Sequence, residues 1–99
     1  MNRMEFVFNN EKARALGYTA VSCYDAVDRL FSRHGIYPTS QGVYEGPDDQ
    51  NTFNAFGAAQ RLPDDTDWFL KTIETWRSFE EGEWGDCLAV HYYYEKLNS

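Results

Sequence analysis

Basic residues are nearly missing from one long stretch of this chain. Between positions 44 and 86 only Arg61, Lys71 and Arg77 stand against eleven acids, a local net charge of −8. Residues 1–43 are close to neutral, with five bases (Arg3, Lys12, Arg14, Arg29, Arg33) and four acids (Glu5, Glu11, Asp25, Asp28). In the last thirteen residues Glu95 and Lys96 cancel, which completes the overall net charge of −7. Such a shortage of Lys and Arg argues against direct nucleic-acid binding, because that affinity comes mostly from neutralising phosphates. It argues equally against docking on anionic membranes. Positively charged partners are favoured instead.

Cysteine is also scarce. Cys23 and Cys87 stand far apart and form no short-spacing motif. A secreted domain stapled by disulfides would be richer in Cys, so a reducing, cytoplasmic setting is expected. No apolar run approaches the roughly 18 residues of a membrane span. The start, Met1-Asn2-Arg3-Met4-Glu5, lacks the charged-then-apolar pattern of a leader and reads as mature soluble protein. Repeats and low-complexity stretches are missing as well.

Several chemistries lose their basis in the same way. The Cys and His inventory is Cys23, His34, Cys87 and His91, without the paired short spacings that structural zinc sites use. No metal and no cofactor are therefore expected. Gly42 and Gly46 frame three residues but lack the Lys and the strand–helix context of a phosphate cradle. After Asp48 there is no alternating oxygen series with the glycine a calcium loop needs. Asp48-Asp49, Asp64-Asp65 and Glu80-Glu81 are adjacent pairs, and neighbours on a helix diverge rather than converge on a substrate.

What the chain has in quantity is aromatic surface: seven Phe, seven Tyr and three Trp in 99 residues. Disordered acidic chains are poor in these residues, so one folded domain spanning 1–99 is expected. Met4, Phe6 and Phe8 alternate with Glu5 and Val7, the period of a strand. Glu11–Leu16 reads as one or two helical turns closed by Gly17. Ser22 and Asp25 suggest the capped start of a helix whose stripe is Cys23, Ala26, Val27, Leu30 and Phe31, ended at Gly35. Gly42–Glu45 reads as a short strand, paired with Ile36-Tyr37. Phe53, Phe56 and Ala59 give a modest helical pattern that Pro63 ends or interrupts.

From Asp65 to Glu81 the spacing of Phe69, Leu70, Ile73 and Trp76 predicts a second long helix stopped at Gly82. Asp64, Asp65 and Asp67 crowd its favourable first turn. Glu80, Glu81 and Glu83 fall at its carbonyl-rich end, where acids are disfavoured, which suggests another reason for their presence. Cys87–Tyr94 reads as a strand with Leu88, Val90, Tyr92 and Tyr94 on one face. The fold class expected is α+β: a small, mainly antiparallel sheet of three to four strands with two main helices packed on one face.

The function expected is that of a non-enzymatic binding or inhibitor protein docking a basic partner. In its narrower form the acids mimic nucleic acid and block a nuclease or another nucleic-acid-binding protein. In size and charge the chain is similar to small acidic anti-defence inhibitors of phage and mobile elements, although no motif is shared. Partner contacts are expected from Glu45, Asp48, Asp49, Asp64, Asp65, Asp67, Glu80, Glu81 and Glu83, with Trp68, Trp84 and Tyr93 as anchors. Two alternatives stand beside this: a homo-oligomeric structural or regulatory module, such as a homodimer, paired through the Tyr-rich terminal strand, or a small enzyme or ligand-binding domain using His34, His91 or Cys87.

Overall fold

The first strand, β1 (Asn2–Phe8), follows directly from its alternation: Asn2, Met4, Phe6 and Phe8 are buried on one face, and Arg3, Glu5 and Val7 point to the other. The computed structural model describes residues 1–99. Two central positions belong to β1 and β3 (Ile73–Glu80); β2 (Val43–Gly46) and β4 (Glu83–Asp86) form the edges. The order is β2-β1-β3-β4, and every pairing is antiparallel. The sheet carries Tyr44 and Trp76 beside Phe6 on its inner face, because Met4 pairs with Tyr44 and Phe6 with Trp76.

Asn9 caps the short α1 (Asn10–Ala15), and Gly17 takes the positive φ of 82° that closes it. The helix expected from Ser22 starts slightly earlier, as α2 (Ala20–Ser32). Thr19 is its cap and Ser22 the reciprocating third residue, each side chain bonding the other's backbone N–H. Gly35 takes φ 71° beyond its end, as the sequence implied. Asp49 caps α3 (Gln50–Gln60), which buries Thr52, Ala55, Phe56 and Ala59 but leaves Phe53 half exposed. Phe31 of α2 stacks on Tyr44 at 4.0 Å between ring centroids and meets Phe56 of α3 edge-on at 6.0 Å. The fold is thus α+β: one four-stranded antiparallel sheet with six helices, among which α2 and α3 pack on each other over the inner face.

The long helix expected over Asp65–Glu81 does not form. In its place come two single turns, α4 (Leu62–Asp65, with Pro63 in its first turn) and α5 (Phe69–Thr72), followed by β3. The hydroxyls of Thr66 and Thr72 donate back to the carbonyls of Leu62 at 2.7 Å and Trp68 at 3.0 Å, competing with helix continuation at each turn's end. The misleading spacing has a clear origin. Phe8 pairs with Ile73 and Val7 with Thr75, so Glu74 is an extra residue in the strand. That bulge places Ile73 and Trp76 on the same buried face three positions apart, which imitates helical spacing.

Gly82 is consequently no helix stop. Glu81 and Gly82 form a two-residue turn between β3 and β4, with φ of 54° and 80°, the left-handed backbone that suits hairpin twist. The helix-dipole penalty inferred for Glu80, Glu81 and Glu83 disappears with the helix. Nor is Cys87–Tyr94 a strand; it begins α6 (Cys87–Leu97), whose cap is Asp86, accepting from Ala89 N–H at 3.0 Å. Apolar residues on both faces of the supposed strand meant there was no true period-two signal, and Leu88, Ala89, Glu95, Lys96 and Leu97 all tolerate a helix well. Ile36-Tyr37 pairs with nothing; a lone bridge between Ser40 and Val43 stands where that hairpin was expected.

Candidate functional site

Strand register determines where the acids go. Asn2 pairs with Gly46 and Arg3 with both Glu45 and Phe79, while Glu80 pairs with Glu83. The turn that follows β2 and the hairpin that joins β3 to β4 therefore leave the sheet at the same end. Asp48 and Asp49 belong to the first, Glu81 to the second, and Glu80 and Glu83 face each other beside it. Together with Glu45 these make six carboxylates at one end of the sheet.

The structure fixes the two groups by different means. Asp48 Oδ1 accepts from the amide of Asn2 at 2.8 Å, and the Asn2 residue itself is buried. Asp49 is committed to its cap, accepting from Thr52 N–H at 2.8 Å. Glu80 is half-buried, and Glu81 and Glu83 are exposed. The one basic side chain paired into this end is Arg3, bonded to Glu5 at 2.6 Å and Glu45 at 3.2 Å.

Behind the acidic end, the outer sheet face carries a charged and aromatic ladder. Glu5 bridges Arg3 and Arg77, the latter at 2.7 Å. Burial opposes ionisation of Glu5, but the hydrogen bonds and charges of Arg77 and Arg3 outweigh it and hold the carboxyl below its ordinary range. The Arg77 guanidinium lies 4.2 Å from the centre of the Trp84 ring, and Phe79 packs on the same ring at 5.3 Å. Trp84 is half exposed there, its ring tilted 48° to that of Phe79.

The remaining expected contacts lie elsewhere in the chain. Asp64 and Asp65 close α4 and Asp67 follows it, with no strand register linking them to the sheet end. Trp68 is not a free anchor: its ring packs 6.0 Å from Phe8 and from Phe69, at the margin of the core. Tyr93 stands exposed on α6, not on a strand.

A second feature escaped sequence reasoning. Between α6, the inner face of β3–β4 and the α3–α4 junction opens a cleft of about 600 Å³, with Asp64, Trp76, Ser78, His91, Tyr94 and Glu95 in its wall. It has no Lys or Arg lining. Trp76 Nε1 and His91 Nε2 are buried without a hydrogen-bond partner, although Glu95 lies 3.1 Å from the latter. The hairpin that builds this wall was legible in principle: Phe79-Glu80 and Glu83-Trp84 flank Glu81-Gly82 almost symmetrically.

The thiols are unsuited to nucleophilic work. Burial pushes Cys23 up, only partly offset by hydrogen bonding from Thr72 and Ser22. Burial also pushes Cys87 up, with the charges of Glu80 and Asp86 adding to it. Both are protonated at neutral pH, the unreactive state. No group of three or more His, Cys, Asp or Glu side chains converges in a way that could hold a metal ion. No helix is long and apolar enough to cross a membrane. No protein-family model matches the chain, and no curated protein is significantly similar to it.

Proposed function

We propose that this protein is a non-enzymatic binding protein that docks a basic partner through the acidic end of its sheet. The observation that carries the reading is the shared register end of Glu45, Asp48, Asp49, Glu80, Glu81 and Glu83. Six carboxylates against the paired Arg3 make a directional field, and such fields raise encounter rates with cations and set orientation. Glu81 adds a second argument. It is the only non-glycine residue with positive φ, a conformation costing roughly 1–2 kcal/mol for a side chain that Gly or Asn would avoid. A carboxylate held at that cost on the tip of the acidic hairpin fits a role outside folding.

Trp84 and Phe79, backed by Arg77, supply an aromatic surface beside the charge, which is the kind of anchor that converts encounter into residence. In the narrower form of the proposal the carboxylates stand in for phosphates and occupy the basic groove of a nucleic-acid-binding protein, such as a nuclease. The test is affinity capture from host lysate at low salt, run in parallel with a Glu80→Lys, Glu81→Lys, Glu83→Lys variant. The proposal expects a basic protein retained by the wild type, released by added salt and missed by the variant. Retention by both chains, or release only by detergent, would contradict it.

A further inference from the structure

The acidic hairpin and the cleft share one face of the sheet. Phe6 pairs with Trp76 and Met4 with Ser78, so both β3 residues face inward, and Glu80 follows by alternation. Directly opposed residues lie on the same face, which sets Glu83 beside Glu80 and Gly85 beside Ser78. A track therefore runs from the Glu80–Glu83 pair over Ser78 and Gly85 to Trp76, and these last three line the cleft. Asp64 and Glu95 stand in the same wall. None of the four carboxylates is paired with a Lys or Arg; Glu95 meets only His91, and Asp86 is occupied by its cap.

We infer, resting on the docking role proposed above, that this track holds an extended segment of the basic partner, with a lysine or arginine side chain seated in the cleft. Charge selects the cation, since the wall carries acids and no base. Trp76 selects the chain that bears it. That residue is 2% exposed and packs on Phe6 and Phe69, yet its indole N–H has no acceptor. A buried donor left in that state is costly, and a peptide brings one carbonyl acceptor per residue, which a simple amine does not. Gly85 keeps the track open: a Cβ there would meet nothing nearer than Ser78 Oγ at 3.9 Å. Trp76 and Glu80 stand four positions apart, about 13 Å along the strand. An extended segment with basic residues at that spacing sets one in the cleft and the other between Glu80 and Glu83.

The test is a heteronuclear NMR titration of the full chain at low salt with two Gly/Ser peptides, each carrying a pair of arginines. One has them at the spacing of Trp76 and Glu80, the other has them adjacent. The spaced peptide should move the assigned Trp76 indole N–H resonance downfield and bind at least about tenfold more tightly, because both cations engage at once. Gly85→Leu, which fills the track, and Asp64→Asn with Glu95→Gln, which removes charge at exposed positions, should each cancel the Trp76 shift. Circular dichroism checks that both variants fold. Equal affinity for the two peptides, an unmoved Trp76 resonance, or a shift that survives both variants overturns the inference. Capture of the same basic protein by wild type and Gly85→Leu alike does so too, while leaving the docking role intact. A wild type that captures no basic protein removes that role and this one together.

Discussion

Single residues reveal how tightly the sheet is closed around the helices. The carbonyl of Gly42, a residue at φ 77°, accepts from Phe6 N–H at 2.8 Å, and any Cβ there would strike the Phe6 carbonyl and the Tyr24 ring. Gly42→Ala should therefore cost about 2–3 kcal/mol, since strained backbone and overpacking act together. Chemical denaturation reads this as a lowered midpoint at unchanged slope. Glu81→Asn should do the reverse, adding about 0.5–1 kcal/mol because Asn accepts the left-handed turn more easily. If the carboxylate serves docking, the same change weakens partner capture while it stabilises the fold.

Glu5 gives the pH dependence at this scale. In the unfolded chain it titrates near 4.5, and in the folded protein lower, so its pairing with Arg77 and Arg3 is fully present above 4.5. That contribution is lost as pH falls through the lower, folded value. Glu5→Gln should remove about 1 kcal/mol at neutral pH and flatten part of the acid limb of stability between pH 4.5 and lower values. An unchanged acid limb in urea titrations would show that the bridge contributes nothing.

At the scale of elements, what the sequence disclosed depended on whether local pattern and tertiary demand agreed. In β1, α2 and the caps around Gly17 and Gly35 they agree, and the elements stand close to where the pattern put them. They part company after Asp65. The bulge at Glu74 gives a strand the spacing of a helix, and the tyrosine run of α6 gives a helix the β-prone composition of a strand. The acidic grouping was legible as composition, but its location was not. Only the strand register, together with the hairpin turn at Glu81-Gly82, joins Asp48 to Glu83, and that register rests on long-range pairing no local window contains. For the same reason Asp64, Asp65 and Asp67, adjacent to the rest in sequence, have no such tie. The dependence of α6 on its cap is testable: Asp86→Ala should cost about 1 kcal/mol and speed amide exchange in the first turn of α6 far more than in β1.

Across the whole molecule, the chain divides its tasks between faces. The inner sheet face spends its aromatics on packing, with Phe6 in contact with Phe8, Phe31, Tyr44, Phe69 and Trp76. Tyr44 closes that layer by donating its hydroxyl to the Asp28 carboxylate, and burial followed by that bond pushes its own ionisation far upward. At the sheet end Glu45, Asp48 and Asp49 have structural partners, whereas Glu80, Glu81 and Glu83 on the hairpin make no side-chain hydrogen bond or ion pair. A field of that kind governs how fast a partner arrives more than how long it stays. The most direct measurement is the association rate of the captured basic partner against ionic strength, for the wild type and the Glu80→Lys, Glu81→Lys, Glu83→Lys variant. The proposal predicts a rate that falls at least about tenfold between low and physiological-to-high salt, and a variant that is slow and nearly salt-independent. A wild-type rate indifferent to salt, or a variant as fast as the wild type, would contradict it.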